Sequence, residues 1–147
     1  MYHFDMVVHA RAASLADGDQ VNLGDDRYRS LRVPPEARCL PLAVSFEQAV
    51  AELEQLARMV VEPDGALVWT GEHPVDGRII RWQVDGTLYD RDDRLMHVEL
   101  AGRVPPDQFD RLLAALGWPG QPVMFQDKKR GVFLDENEFR RFAVRAM

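Results

Sequence analysis

The first residues of the chain alternate strictly between two kinds of position. Tyr2, Phe4, Met6, Val8 and Ala10 occupy one set of alternate positions, and the positions between them are mostly polar. Successive side chains of a strand point to opposite faces of a sheet. The pattern therefore predicts a half-buried strand over residues 2–11.

Three later segments show the three- and four-residue spacing of apolar positions that is typical of amphipathic helices. The first follows Ser45, which can cap it, and continues to Val60. The second opens around Pro106 and closes at Gly117, and the third begins after Asp135. We therefore expect about three helices.

Shorter apolar runs between these segments predict further strands. They cover residues 40–44, 66–70, 78–84, 88–89, 95–104, 123–126 and 131–134. Asp85-Gly86 predicts a tight turn or a bulge, and the charged stretch 90–94 predicts the tip of a hairpin. Strands of this kind usually pair with their neighbours, so we expect an antiparallel meander.

Residues 14–36 lack a sustained period and are rich in Gly, Pro and Asp. This composition predicts a long irregular connection. Two interpretations are open, because loops of this length are either surface meanders or functional segments.

The order of predicted elements favours an α+β fold. We expect a mostly antiparallel sheet with about three helices packed on one face as a single layer. A chain of 147 residues has the usual size of one domain, so residues 1–147 are interpreted as a single unit.

Composition narrows the class of protein. A net charge of −6 makes nucleic-acid binding an unfavourable interpretation, and the apolar runs are too short to span a membrane. The lone Cys39 cannot form an intramolecular disulfide and is expected to be a buried structural thiol. Together with the missing signal-peptide pattern, these features predict a soluble cytoplasmic protein. The excess of Arg over Lys is a bacterial-like composition and is given no functional weight.

If the first strand and the meander share a sheet, several outward polar side chains collect on one face. The candidate residues of this polar face are His3, Asp5, His9, Arg81, Asp85, His97 and Glu99. Imidazoles beside carboxylates bind metals or transfer protons near neutral pH. His3 and His9 are about 20 Å apart along a strand, so a site requires His97 or His73 to meet one of them. A merely solvated face is the alternative interpretation.

The sequence contains no phosphate loop, nucleophile elbow, zinc-protease motif or calcium loop, and it assigns no catalytic residue, cofactor or metal ligand. Two candidate partner surfaces are Trp69 and the turn formed by Lys128, Lys129 and Arg130. For the turn, two interpretations are open: a solvated hairpin tip, or a contact with an anion or a nucleic acid.

Three hypotheses about function follow. The favoured one is a non-enzymatic protein-binding or regulatory module that engages a protein partner through an acidic surface and residues 14–36. A small metal-assisted or acid/base enzyme is the second, and it requires His97 to lie near another ligand in a concave site. Nucleic-acid contact is the third, and it requires Lys128, Lys129, Arg140 and Arg141 to cluster on one surface.

Overall fold

A computed structural model describes residues 1–145 of the chain. In chain order the strands are β1 (Tyr2–Ala10), β2 (Ala16–Leu23), β3 (Asp26–Arg32), β4 (Met59–Val61), β5 (Ala66–Val75), β6 (Arg78–Arg91), β7 (Arg94–Val104), β8 (Val123–Asp127) and β9 (Phe133–Leu134). The helices are α1 (Phe46–Leu53), α2 (Pro106–Ala115) and α3 (Glu136–Arg145), with a 3₁₀ turn at Pro35–Arg38.

Seven strands form one antiparallel sheet in the order β4-β5-β6-β7-β1-β8-β9, and β2 and β3 form a separate hairpin. The expected α+β class is thereby confirmed. None of the helices in the described part of the chain has the length and hydrophobicity of a membrane-spanning segment.

Aromatic side chains fix α2 and α3 on the face of the sheet that carries the core. The Phe4 ring of β1 lies 5.4 Å from the Phe109 ring of α2 and 6.2 Å from the Phe139 ring of α3. The buried residues of α1, Ala49 and Leu53, belong to the same hydrophobic cluster. The arrangement of all three helices as a single layer stays a prediction.

The prediction of an irregular segment over 14–36 is wrong. The segment forms the β2–β3 hairpin, whose turn contains Gly24 at a φ of 65°, followed by the 3₁₀ turn. A register shift between Asp17 and Gln20 breaks the alternation of side chains, which hides the hairpin from a pattern search. The hairpin is anchored by Leu31 and Val33, which pack with Met124 and Phe133 of the main sheet.

The region around α1 also differs from expectation. Ser45 and Gln48 form the predicted capping box, but the helix ends at Leu53 rather than near Val60. Residues 59–61 pair instead with β5 as an edge strand, so a tertiary contact overrides the helical pattern. No strand forms over 40–44 in the described chain, where Leu42 makes a single backbone bond to Leu95.

Gly86 lies within a continuous β6 rather than at the predicted turn. A Cβ atom at this position would lie 2.5 Å from the carbonyl oxygen of Glu99 on β7, so the glycine permits close approach of two strands. The predicted hairpin tip is confirmed at Asp92 and Asp93, both with positive φ. Cys39 is exposed at the end of the 3₁₀ turn, which contradicts the expected buried thiol.

Candidate functional site

The register of the ladders determines which polar side chains share a face. His9 lies directly opposite His97 across β1 and β7, and Asp85 of β6 lies opposite Ala101, which is itself opposite Asp5. Directly opposite residues of an antiparallel pair point to the same face, and the face alternates along each strand. All seven candidate residues of the polar face therefore lie on one face, away from the aromatic core: His3, Asp5, His9, Arg81, Asp85, His97 and Glu99.

His9 and His97 lie together on this face, and the other two histidines lie away from them. His3 lies opposite Arg103, at the other end of β1. His73 lies opposite Ile80 near the tip of the β5–β6 hairpin and belongs to the other set of alternate positions.

His9 and His97 belong to a row of neighbouring rings that crosses the sheet, which we call the histidine row: Tyr89, His97, His9 and Phe133. The ring centres of Tyr89 and His97 are 4.6 Å apart, those of His97 and His9 are 5.7 Å apart, and those of His9 and Phe133 are 5.4 Å apart. The Arg38 guanidinium lies over the Phe133 ring, 5.1 Å from its centre. The row is thus open at Tyr89 and covered at Phe133.

His9 is only 8% exposed, and its two ring nitrogens have different surroundings. Nε2 lies 3.0 Å from the amide Oε1 of Gln126. Because an amide oxygen is an acceptor, Nε2 carries the hydrogen and Nδ1 carries a lone pair. Nδ1 is buried and has no hydrogen-bond partner among residues 1–145.

Burial lowers the pKa of both central histidines. For His9 the burial effect exceeds the opposing effect of the Gln126 bond, and the positive charges of His97 and Arg38 lower the pKa further. For His97 burial lowers the pKa while the nearby Glu99 carboxylate raises it. Both imidazoles are therefore neutral at pH 7.

The Glu99 carboxylate is held by two neighbours. Its Oε2 accepts hydrogen bonds from the Tyr89 hydroxyl and the Lys128 ammonium, each at 3.2 Å. The negative charge of Glu99 raises the pKa of Tyr89. Among residues 1–145, no three side chains of His, Cys, Asp or Glu are placed to hold one metal ion.

A cleft of about 1450 Å³ is lined by three residues of the polar face, His3, Asp5 and Arg81. Its walls come from the β2–β3 turn, from the end of α3, from the turn after β8 and from strands β1, β5, β6 and β7. Phe4, Leu23, Trp82 and Phe142 are among its lining residues. A smaller cleft of about 380 Å³ lies beside Glu138 and Arg141, and neither cleft is lined by His9 or His97.

Charges of both signs line the larger cleft in equal number. The basic residues are Arg58, Arg81, Arg103, Lys129 and Arg130, and the acidic residues are Asp5, Asp25, Asp26, Glu72 and Asp127. Arg130 pairs with Asp127 at 3.2 Å, and Arg81 lies 3.9 Å from Glu72. Arg58, Arg103 and Lys129 form no ion pair with any residue that the structure describes, but Arg103 donates a hydrogen bond to the Arg81 carbonyl at 2.6 Å. Arg58 and Lys129 are therefore the positive charges of the cleft that remain available.

Comparisons with family models, with curated proteins and with solved structures give no match. Function is therefore inferred from the geometry of the molecule alone.

Trp69, a candidate partner surface, is buried, which corrects that prediction. It is 1% exposed, its indole N–H donates to the Ala57 carbonyl at 3.0 Å, and its ring packs edge-on against Trp82. Leu67, two residues earlier in β5, is also buried, so the alternation already contained a signal that Trp69 points inward.

The C-terminal basic residues mostly have internal partners. Lys128 pairs with Glu99, Arg130 with Asp127, and Arg141 with Glu138 at 2.9 Å. Arg140 pairs with Asp110 and Glu136 and donates to the Tyr2 hydroxyl at 3.2 Å. These pairs tie α3 and the β8–β9 turn to the rest of the molecule, which leaves few charges for a phosphate backbone.

Sequence reasoning missed Tyr89, Gln126 and the cleft residue Arg58. Tyr89 continues the outward positions of β6, so its place on the polar face could have been read from the alternation. Gln126 reaches its site through the pairing of β8 with β1, and Arg58 lies in the turn before β4, so neither leaves a local signal.

Proposed function

We propose that the chain is a non-enzymatic protein-binding module and that the larger cleft holds a segment of a partner protein. The observation that carries the proposal is the size and lining of this cleft. Sites for small molecules usually measure about 300–1000 Å³. A cleft of about 1450 Å³ has room for several residues of a polypeptide.

The lining favours a polypeptide over a nucleic acid. A nucleic-acid site accumulates positive charge, whereas five acidic and five basic side chains line this cleft. Side chains of both signs, next to the apolar Leu23 and Phe142, match the mixed chemistry of a protein segment.

Arg58 and Lys129 suggest what the partner contributes. Each lines the cleft and lacks an ion pair among the described residues. A partner Asp, Glu or terminal carboxylate would form charge-assisted hydrogen bonds with them. The β2–β3 turn forms one wall, so residues 14–36 take part in binding as a structured hairpin.

A site-specific photo-crosslinker tests the proposal. Val144 lines the cleft and is 55% exposed, while Leu40 lies outside the cleft lining and is 41% exposed. A crosslinking residue at 144, but not at 40, is expected to form an adduct with one protein in an extract of the producing cells. Adducts at both positions, or at neither, would contradict the proposal.

Charge reversal then tests the cleft itself. Lys129→Glu and Arg58→Glu are expected to reduce the yield of the adduct at 144 by about tenfold or more, because each places a carboxylate against the partner's own. Arg111→Glu is the matched control, since Arg111 is exposed on α2 outside the cleft. An adduct that survives both cleft variants would show that the partner binds elsewhere.

A further inference from the structure

His9 and His97 form a pair on the polar face, and one ring nitrogen of His9 has no hydrogen-bond partner in the described chain. They lie directly opposite each other on β1 and β7, the two central neighbouring strands of the polar face. The Nδ1 lone pair of His9 is buried without a donor among residues 1–145. A buried polar atom without a partner is costly and requires an explanation.

The spacing of the two rings fits coordination of one metal ion. With metal–nitrogen bonds of about 2.0–2.1 Å and a tetrahedral angle at the metal, the centres of two coordinating imidazole rings lie about 5.2 Å apart. The ring centres of His9 and His97 are 5.7 Å apart. His97 is only partly buried, so a small rotation of its side chain closes the difference.

Gln126 prepares His9 for this role. A histidine ligand usually donates its second ring N–H to an oxygen acceptor, which fixes the tautomer and the orientation of the ring. The Gln126 Oε1 atom lies 3.0 Å from His9 Nε2, so the lone pair is left on Nδ1. Neutral imidazole is also the form that binds metals.

We propose that His9 and His97 form a two-histidine site for a divalent transition metal ion, with Zn²⁺ as the representative ion and Gln126 as a positioning residue. Water completes the coordination shell, since no third protein ligand is placed for it in the described chain. The site is independent of the cleft, whose lining includes neither histidine.

The charges around the pair set limits on the affinity. Arg38 of the 3₁₀ turn lies near His9 and repels a cation, whereas Glu99 of β7 attracts one. Lys128 from the β8–β9 turn neutralises much of the Glu99 charge.

The ligand type determines which metal ions fit the site. Imidazole nitrogen is a borderline ligand that suits Zn²⁺, Cu²⁺ or Ni²⁺ and disfavours Mg²⁺ or Ca²⁺.

Calorimetric titration of the metal-free full-length protein with Zn²⁺ at pH 7.5 is the primary test, using protein without a polyhistidine tag. The expected result is one saturable site per chain in the sub-millimolar range, with no comparable heat from Mg²⁺. His97→Ala is expected to weaken binding about tenfold or more. His3→Ala and His73→Ala are the matched controls and are expected to leave the affinity unchanged.

The Gln126→Leu variant tests whether Gln126 supports metal binding by orienting the His9 ring rather than by stabilising the fold. It retains both ligands but removes the acceptor, and the expected loss of Zn²⁺ affinity is about tenfold to a hundredfold. Long-range ¹H–¹⁵N spectra of the imidazoles are expected to show a changed His9 tautomer in the metal-free variant. Thermal unfolding monitors the fold of each variant.

Three outcomes would overturn the site: no saturable Zn²⁺ binding by the wild-type chain, unchanged binding by a folded His97→Ala variant, or Zn²⁺-induced shifts at His3 or His73 instead of His9 and His97. Because the crosslinking at Val144 does not involve these histidines, failure of the metal site leaves the proposed protein-binding function intact.

Discussion

Gly71 illustrates how a single residue shapes the middle of the sheet. A Cβ atom on Gly71 would lie 2.2 Å from the Trp82 ring, which packs directly over the Gly71 backbone. Trp82 is in turn held against Trp69, with ring centres 4.8 Å apart. The glycine is therefore required by the position of a buried indole rather than by its own backbone conformation.

We predict that Gly71→Ala destabilises the protein by about 1–3 kcal/mol, because the methyl group displaces a packed ring. The free energy of unfolding from urea denaturation measures the effect. Gly120→Ala is the matched control, since the nearest atom to its Cβ would lie 3.6 Å away. Equal stability of the two variants would show that the Trp82 ring moves aside freely.

The histidine pair shows what sequence patterns predict at the scale of single residues. Alternation along β1 and β7 is enough to place His9 and His97 on one face. That the two lie directly opposite each other depends on the strand register, which long-range pairing determines. The role of Gln126 depends on β8 as a third strand and has no signal in the local sequence.

At the scale of elements, Glu138 joins α3 to the β2–β3 hairpin. Its carboxylate accepts hydrogen bonds from the Arg29 backbone N–H at 2.7 Å and from the Arg141 guanidinium at 2.9 Å. Arg141 also donates to the Arg27 carbonyl at 2.8 Å. Partial burial raises the pKa of Glu138, but these hydrogen bonds and positive charges outweigh it and leave the pKa lowered.

This lowered pKa predicts a pH dependence of stability. A carboxyl group with a lower pKa in the folded than in the unfolded chain stabilises the fold above its unfolded pKa, and that contribution is lost as the pH falls through the folded pKa. Wild-type protein is therefore expected to lose this stability below about pH 4.5, the ordinary value for Glu. Denaturation between pH 7 and pH 3 provides the measurement.

Glu138→Gln is expected to be less stable than wild type at pH 7 and to approach it at the acidic end, where the wild-type carboxyl is protonated. Glu52→Gln, on the exposed side of α1, is the control and should show no such convergence. A constant difference between Glu138→Gln and wild type across the range would mean that the carboxylate charge does not stabilise the contact.

The elements that sequence patterns predicted well are those with a long, regular period. β1, α2 and α3 each bury one unbroken stripe of apolar residues. The β2–β3 hairpin buries few side chains and contains a register shift, so its pattern resembles that of a loop. The end of α1 was misplaced because residues 59–61 gain more from pairing with β5 than from extending the helix.

The free edge of β5 allows a prediction for individual amides. Val75 and Arg78 flank a two-residue turn and form a hydrogen-bonded pair. Alternation then turns the N–H groups of Gly71 and His73 toward β6 and those of Thr70 and Glu72 toward the open edge. Beyond residue 69, β5 has no second neighbour in the described sheet.

Hydrogen exchange measured by NMR is therefore expected to be fast for the amides of Thr70 and Glu72 and at least about tenfold slower for Gly71 and His73. The amides of Val8 and Val98, in the centre of the sheet, provide the slow reference. Equal rates along residues 70–73 would mean that the outer half of the hairpin opens as a unit.

At the scale of the whole molecule, the polar face and the cleft differ in how far the sequence predicts them. The polar face follows from alternation alone, because all its residues lie on regular strands. The cleft combines Arg58, Gly71, Lys129 and the turn after Leu23, which are distant in the chain. Only the complete packing of strands and helices brings these residues together, so local periodicity contains no information about the cleft.

The same packing determines how the sheet ends. The two outermost strands are short: β4 has three residues and β9 has two. At this edge the exposed Val60 of β4 and Val68 of β5 form a cross-strand apolar pair, which is a hazard for association with a second chain. Pro74 counters this hazard, because its position on the free edge of β5 lacks the N–H that an added strand would use.

We predict from this arrangement that the protein is a monomer at roughly 100 µM and that Pro74→Val promotes dimers through the β5 edge. The substitution supplies the missing donor and a side chain that favours strands. Light scattering during size-exclusion chromatography measures the mass, and Pro63→Val, in the exposed turn before β5, is the control.

A wild-type dimer would show that the β5 edge or the Val60–Val68 surface is already an interface. A monomeric Pro74→Val variant would show that the short β4 strand and the charged side chains of the hairpin protect the edge without the proline.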